Sequence, residues 1–219
     1  PLALEVPSLR GFDLRRPKRG ATPKATTMIQ KILIAAICLA LGAPVADARE
    51  DRMQLPDNVR AWYRNPDGSC VQCSLGMCGC WSGVPEFACL LWDTPYGPKV
   101  RGGSWPQRVS GYASRLQVPI WNVTGSTTWE WMRWAGKTGR FAAIGAGGNH
   151  FQTLYGYDDN NTPDNLDDDT WYVCNNNSTH KIDSYSWSQF RRLHLASGQW
   201  VVVLDAPGQP PVPQHVQWW

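Results

Sequence analysis

The chain has 219 residues, of which 18% are charged and 13 are tryptophan, and its formal net charge is +3. The basic excess lies at the N-terminus: residues 1–48 hold seven Lys or Arg against three Asp or Glu, whereas residues 49–219 hold 14 against 15. A nearly neutral domain lacks the basic surface that nucleic acid requires, so the composition argues against a nucleic-acid partner.

The first 48 residues contain two segments that are not expected to belong to the folded domain. Residues 28–48 begin at Met28 and contain one lysine, an apolar run and an Ala-Asp-Ala motif ending at Ala48. This is the layout of a secretory signal peptide with cleavage after that motif, and its apolar run is too short for a permanent membrane span. We therefore expect a secreted or periplasmic protein without a stable membrane anchor, preceded by an upstream or disordered extension over residues 1–27.

The rest of the chain predicts one α+β domain over residues 49–206, with helices first and strands mostly after them. Helices are predicted from near Cys73, over 86–92, and within 106–117, 127–139 and 186–198. Strands are predicted within 119–125, 140–146, 150–158, 170–176 and 199–207. Residues 207–219 are predicted to form a Pro-rich exposed tail.

Four cysteines fall within eleven residues: Cys70, Cys73, Cys78 and Cys80. Four thiolates could hold zinc, but the second pair is separated by only one residue and export favours oxidation of thiols over metal binding. We therefore expect no metal. Disulfides are the alternative that fits any function, with Cys70, Cys78, Cys80 and Cys89 as the available partners and their connectivity open. The third interpretation is one reactive thiol with structural neighbours.

Cys73 is the candidate nucleophile, because it is expected where a Gly-Ser loop runs into a helix, and a helix N-terminus lowers the pKa of a thiol. A base must come from a histidine elsewhere. His150 is the candidate, because it follows the glycine-rich AGGN and begins the strand HFQTLYGYD. The next predicted strand, TWYVCNN, ends in Asn175 and Asn176, which are expected to point to opposite faces because successive strand residues do so.

These three segments together resemble papain-like cysteine peptidases of the smaller bacterial type, over about residues 60–206. The resemblance rests on GSCVQC, on the strand that starts at His150 and ends in Gly-Tyr, and on TWYVCNN, in the order Cys, His, Asn. It implies a papain-like fold in which a helical part precedes an antiparallel sheet or barrel. It also implies cofactor-free hydrolysis of peptide or isopeptide bonds in a peptide or protein substrate, through a thioester. In that family the second cysteine, here Cys73, is the nucleophile, and the first, here Cys70, forms a bridge. An asparagine after the next strand orients the imidazole, which implies this role for Asn175, with Asn176 as the alternative.

One departure from the family concerns the oxyanion. Asp67 stands where the family has a glutamine whose amide helps to hold that charge, and losing one such donor typically costs about 10²–10³ in rate. Asn65 is the substitute expected to supply an amide, beside the backbone N–H of Cys73. The departure keeps an inactive papain-like binding module open as an alternative. Two further alternatives are a transglutaminase-like acyl transferase, which shares the Cys-then-His order, and a disulfide-rich structural protein.

Two further segments have simpler predictions. The acidic stretch 158–169 is predicted to be a solvated hairpin loop, because it lacks the glycine and terminal glutamate of a helix-loop-helix calcium site. Trp131 and Trp134 share one helix face, so core packing is favoured over a platform for sugars or peptide side chains.

Overall fold

The computed structural model describes residues 52–208. The predicted signal peptide, the segment before it and the chain beyond residue 208 lie outside the described residues. The helices are α1 (Asp57–Trp62), α2 (Cys70–Trp81), α3 (Pro85–Ala88), α4 (Pro106–Leu116), α5 (Thr128–Lys137) and α6 (Trp187–Leu195). The strands are β1 (Ile120–Thr124), β2 (Ala142–Gly145), β3 (Phe151–Asp158), β4 (Thr170–Cys174), β5 (Asp183–Ser186) and β6 (Trp200–Leu204).

The strands form one antiparallel sheet in the order β1-β6-β2-β3-β4-β5. The predicted α+β class is thereby confirmed. The sheet is open, with β1 and β5 at its edges, and is not closed into a barrel. Because β3 and β4 are neighbours, the start of β3 and the end of β4 lie side by side: Thr153 pairs with Cys174. Residues just before β3 and just after β4 therefore meet at one end of the sheet.

Each face of the sheet carries its own hydrophobic cluster. Strand β6 is buried along its whole length because it contributes to both: Val202 and Leu204 pack with α2, whereas Val201 and Val203 pack with α5 and α6. This alternation follows from the two-residue period of a strand. Helix α2 therefore covers one face of the sheet, and α5 and α6 cover the other.

Helix α2 begins at Cys70, one turn earlier than the sequence predicted. Gly68, with φ of +83°, makes the turn that leads into it, a conformation that glycine adopts without strain. Further along α2, a Cβ atom at Gly76 would overlap the ring of Tyr63, which is fully buried. Small residues in α2 thus allow close packing against the preceding segment, and this packing fixes where Cys70 lies.

The predicted strands and the three long helices after residue 100 are confirmed within a few residues of their ends. The short helix near residue 86 ends at Ala88 and does not continue to residue 92. Helix α1 and strand β5 were not predicted. Helix α1 has only six residues, and β5 has the sequence DSYS with partial exposure throughout, so neither shows a clear apolar pattern. Within residues 52–208, no helix combines the length and apolar character needed to cross a bilayer.

Candidate active site

Cys70 and His150 meet at the end of the sheet where β3 begins. Cys70 is the first residue of α2, and His150 directly precedes β3. The Cys70 thiol lies close enough to His150, and to the backbone N–H groups of Phe151 and Val71, for each of them to stabilise its thiolate. The half-buried thiol therefore combines a helix N-terminus with an imidazole neighbour, the two features that activate a cysteine.

Asn175 holds the far side of the imidazole. Its Oδ1 lies 3.0 Å from His150 Nε2 and also accepts a hydrogen bond from the backbone N–H of Asn177 at 2.9 Å. Two such contacts fix this atom as the amide oxygen, which can only accept. His150 Nε2 must therefore carry a proton, and in the neutral ring Nδ1 is left as the proton acceptor. The predicted contact between His150 and Asn175 is present.

The electrostatics of Cys70 and His150 favour a charged pair. Partial burial raises the pKa of the Cys70 thiol, but hydrogen bonds from His150, Phe151 and Val71 outweigh burial, and its pKa lies below the ordinary value. The hydrogen bond to Cys70 is the main reason that the pKa of His150 is raised; the contact with Asn175 adds to it, and burial opposes it. Each shift favours the ionised form of its own group, the thiolate of Cys70 and the imidazolium of His150.

The predicted placement of Cys73 at the helix start is wrong. Cys73 lies one turn inside α2, its backbone N–H bonds to Ser69 O, and its side chain is fully buried in the core. Burial, reinforced by the charges of Cys70 and Asp67, raises the pKa of the Cys73 thiol to about 12. A thiol in that state is protonated at neutral pH, whereas a thiol nucleophile must ionise.

Sequence reasoning could have placed the helix start correctly. Ser69 followed three residues later by Gln72 has the Ser-x-x-Gln spacing of a capping box, which marks Ser69 as the N-cap. The structure has Ser69 in that position, although its side chain makes no cap hydrogen bond. The Ser69 hydroxyl instead donates to Asp67 and accepts from the backbone N–H of Gly102.

Asn176 joins α2 to the sheet. Its Nδ2 lies 2.9 Å from Cys70 O, 2.9 Å from Phe151 O and 3.0 Å from Ser74 Oγ, and the side chain is fully buried. It therefore faces away from His150, while Asn175 faces toward it. The structure gives Asn176 a positioning part that the sequence did not suggest: it fixes the start of α2 against the start of β3.

The three groups considered for the oxyanion make other contacts. The backbone N–H of Cys73 bonds to Ser69 O within the helix, so it is not the expected donor. The Asp67 carboxylate accepts a hydrogen bond from Ser69 and pairs with Arg101 at 3.4 Å. Asn65 is tied to the segment after β4, through its backbone N–H to Asn176 O and its Nδ2 to Asn177 Oδ1. One of the two N–H donors of the Asn65 amide is thus already used, and the negative charge of Asp67 is matched by a guanidinium.

A pocket of about 340 Å³ opens in front of the thiol. Its lining comes from the start of α2, the loop before α4, the turn before β3 and the start of β6: Gly68, Cys70, Val71, Gly103, Ser104, Gly148, Asn149, His150, Phe151, Ser197 and Trp200. Gln72 fixes one wall, because its Nε2 donates to Gly102 O and to Ser104 Oγ. An extended chain thus has access to Cys70 and His150 from the same side.

The cysteines of the described residues form no disulfide with each other. Cys78, Cys80, Cys89 and Cys174 are buried beside Cys73 in the core on the α2 side. Burial raises the pKa of Cys89 to about 11 and of Cys174 to about 12. The expected bridges are thus absent from this structure, and their formation on export stays a prediction. Across residues 52–208, no three His, Cys, Asp or Glu side chains are grouped as metal ligands.

The acidic loop 158–169 is held by contacts to α5. Lys137 pairs with Asp159, Arg133 bonds to Pro163 O, and Asp169 accepts from the Tyr157 hydroxyl at 2.8 Å. The loop is largely exposed, in agreement with the predicted hairpin connection between β3 and β4.

No protein-family model and no curated protein matches this sequence. Function therefore has to be argued from the geometry of the site itself.

Proposed function

We propose that the chain is a cysteine hydrolase that cleaves peptide or isopeptide bonds, with Cys70 as nucleophile, His150 as general base and acid, and Asn175 as the group that orients the imidazole. The observation that carries the proposal is the continuous contact from Cys70 through His150 to Asn175 at the mouth of a pocket. A thiol, a base and an orienting amide in this order form the arrangement used for nucleophilic acyl transfer.

The first half of the reaction forms a thioester. His150 Nδ1 takes the proton of the Cys70 thiol, and the sulfur attacks the carbonyl carbon of the scissile amide. The negative charge on the carbonyl oxygen is met by N–H groups in the first turn of α2, which have no acceptor within the helix. As the C–N bond breaks, the imidazolium gives its proton to the leaving amine, so the amine leaves neutral.

The second half returns the enzyme to its starting state. A water molecule loses a proton to His150 and attacks the thioester carbon, and the C–S bond breaks. The product is a carboxylic acid, and the thiol regains its proton from His150. Asn175 keeps the ring in the same orientation throughout, because its oxygen, held by the backbone N–H of Asn177, accepts from Nε2 of the imidazole.

The geometry supports the papain-like resemblance with one change of residue. A cysteine at a helix start, a histidine at a strand start and an asparagine after the next strand follow the order of that family. Here Cys70, the first cysteine of GSCVQC, takes the place expected for Cys73. With the predicted signal peptide, we propose a secreted or periplasmic enzyme that acts on peptide or protein substrates.

Competitive alkylation tests the proposed nucleophile. The full-length chain, reduced beforehand, is treated with limiting iodoacetamide at pH 7 and digested, and the modification of each cysteine is quantified by mass spectrometry. We expect Cys70 to react fastest, because its pKa is lowered while those of Cys73 and Cys174 are raised by burial. His150→Ala should remove this selectivity, and Cys73→Ala is the control that should keep it.

Hydrolysis is measured with an internally quenched peptide library. Cys70→Ala should abolish turnover, and His150→Ala should reduce it by about 10²–10⁴-fold, the usual range for a general base. Equal labelling of all cysteines in the folded protein, or selectivity that survives His150→Ala, would overturn the assignment. Selective labelling without turnover of any peptide would instead favour the inactive binding module.

A further inference from the structure

Three tryptophans form an exposed aromatic cluster that the proposed reaction does not use. Trp121 lies on the edge strand β1, and Trp131 and Trp134 lie one turn apart on α5. Together with Glu130 they line a shallow pocket of about 350 Å³. We call these four residues the indole platform. None of them lines the pocket at Cys70.

The indole platform is on the sheet face opposite α2. Trp121 is directly across from Val203, and Val203 packs in the cluster formed with α5 and α6. The predicted core packing of Trp131 and Trp134 is therefore only partly right. Both rings touch the edge of that cluster and are half-buried, while the Trp121 side chain is 43% exposed.

The three rings contact each other, and Trp121 and Trp131 lie over one another, because rings placed side by side could not approach to this distance. The centroids of Trp121 and Trp131 are 4.8 Å apart with the ring planes 30° apart, and Trp134 stands at 82° to both, at 6.4 Å and 5.6 Å. Two anchors fix the orientation of the rings. Trp121 Nε1 donates to Asp205 at 3.2 Å, and the Arg140 guanidinium lies 4.7 Å from the centre of the Trp134 ring.

Polar groups with unused hydrogen-bonding capacity surround the three rings. Among the described residues, no donor pairs with the Glu130 carboxylate, and the indole N–H groups of Trp131 and Trp134 have no acceptor. A ligand on the platform would thus meet flat apolar rings together with one charged acceptor and two donors.

This combination suits a sugar better than other small ligands. A pyranose whose hydroxyls are equatorial has axial C–H bonds that pack on an aromatic face, while its hydroxyls point outward to donors and acceptors. A quaternary ammonium ligand needs separated aromatic walls around the cation. The rings here touch each other and leave no such gap. A hydrophobic protein partner would leave the Glu130 carboxylate buried without a partner.

We propose that the indole platform binds β-1,4-linked pyranose glycans, at a site separate from the pocket at Cys70. In a β-1,4-linked chain of gluco-configured units the sugar faces are flat, so one unit can pack on the exposed part of the Trp121 ring while its hydroxyls bond to Glu130. This inference does not depend on the proposed hydrolase activity.

Titration calorimetry of the full-length chain tests the proposal, with the β-1,4-linked hexasaccharides of glucose and of N-acetylglucosamine as probes. We expect at least one of them to bind. Trp121→Ala should weaken that binding by about tenfold or more, and Glu130→Gln should weaken it by about three- to tenfold, through loss of a charged acceptor. Trp105→Ala is the matched control, because Trp105 is 55% exposed and lies outside the platform.

Folding of each variant is checked by urea denaturation, and Glu130→Gln keeps the test decisive because the side chain is exposed and can be replaced without loss of packing. The proposal is overturned if neither hexasaccharide binds at concentrations up to about 5 mM. It is equally overturned if Trp121→Ala and Glu130→Gln leave the affinity unchanged, or if Trp105→Ala weakens it as much as they do.

Discussion

Asn175 and Asn176 are adjacent in sequence but hold opposite sides of the candidate site. Asn175 Oδ1 lies 3.0 Å from His150 Nε2, whereas Asn176 Nδ2 lies 2.9 Å from Cys70 O. One asparagine thus orients the base, and its neighbour fixes the helix that carries the thiol. The alternation of side chains along an extended chain places both from a single short segment.

The two asparagines should therefore give different effects when they are replaced. Asn175→Ala removes the acceptor for His150 Nε2, so the ring is free to turn, and we expect turnover to fall about 10²-fold with a loss of unfolding free energy of about 1 kcal/mol. Asn176→Ala leaves Cys70 O and Phe151 O without their donor, and we expect a loss of about 2–4 kcal/mol. Peptide turnover and urea denaturation measure the two quantities.

Each asparagine variant is the control for the other. If the Asn176→Ala variant lost activity while its unfolding free energy stayed unchanged, this would contradict the positioning role assigned to Asn176. Asn175→Ala with full turnover would show that His150 does not need an orienting acceptor.

Asp67→Asn tests whether this carboxylate opposes catalysis. If Asp67 faced the oxyanion, its neutralisation should raise turnover by about 10²-fold or more. The structure instead pairs Asp67 with Arg101 and Ser69, so we expect kcat to change by less than about threefold. The ion pair is partly exposed on both sides, and its loss should cost about 0–1 kcal/mol of stability. A large rise in kcat would show that Asp67 turns toward the substrate.

The sequence predicted the sheet and the position of His150 well, because both depend on local patterns. His150 lies where a glycine-rich turn meets an apolar strand, and Asn175 lies just past the next strand, so their meeting follows once these strands pair. The pairing itself is a long-range contact that a pattern of residues implies but does not fix.

The cysteine at the helix start, Cys70, which we propose as the nucleophile, was missed for a different physical reason. Cys70 and Cys73 are three residues apart and fall on neighbouring positions of one helix face, so only the helix start decides which of them reaches solvent. That start depends on Gly68 and Ser69, and on contacts from Gln72 and Ser69 to Gly102, some thirty residues away. Such contacts have no signal in the local pattern, although the Ser-x-x-Gln spacing marks the right residue.

Gly76→Ala should destabilise the fold even though alanine favours a helix. A Cβ at this position overlaps the buried ring of Tyr63, so we expect a loss of about 1–3 kcal/mol from overpacking. Gly111→Ala in α4 is the matched control, because no atom lies within 4 Å of the added Cβ. There we expect a gain of about 0.5–1 kcal/mol from helix propensity alone. Urea denaturation of both variants checks the contrast, and equal effects would contradict it.

Alkylation of Cys70 should extend to lower pH than that of an ordinary thiol. Because the pKa of Cys70 is lowered by His150 and backbone N–H groups, its thiolate persists below the ordinary value of 9.0. Because the pKa of His150 is raised, its imidazolium form persists at pH values above the ordinary pKa of 6.5. Turnover should therefore rise with pH as the thiol ionises and fall as the imidazolium loses its proton. The rate of iodoacetamide labelling between about pH 4 and 10 measures the ionisation of the Cys70 thiol.

In His150→Ala, the rise of the Cys70 labelling rate should shift to higher pH. Loss of the imidazole removes the largest favourable contact of the thiolate, and partial burial then raises the pKa of Cys70. An unchanged labelling profile in this variant would show that the helix terminus alone activates the thiol.

His194 should make the fold less stable in mild acid. Its side chain is buried between α5 and β2, with Nε2 2.7 Å from Thr128 Oγ1 and Nδ1 2.7 Å from Gly145 O. Burial lowers the pKa of His194, and the bond to Gly145 O only partly opposes this. In the unfolded chain His194 takes up a proton near pH 6.5, whereas in the folded chain it does so only at lower pH. The stabilisation is thus complete above that pH and is lost as the pH falls below it.

Comparison with His194→Gln isolates this effect, because the carboxylates that titrate in the same range are common to both proteins. We expect the variant to lose about 1–3 kcal/mol at pH 8, through weaker hydrogen bonding to Thr128 and Gly145. The difference in unfolding free energy between the native chain and the variant should shrink from pH 8 to pH 5, since only the native chain carries the histidine. Urea midpoints at several pH values measure it, and a difference that stays constant would mean that His194 is not held neutral in the fold.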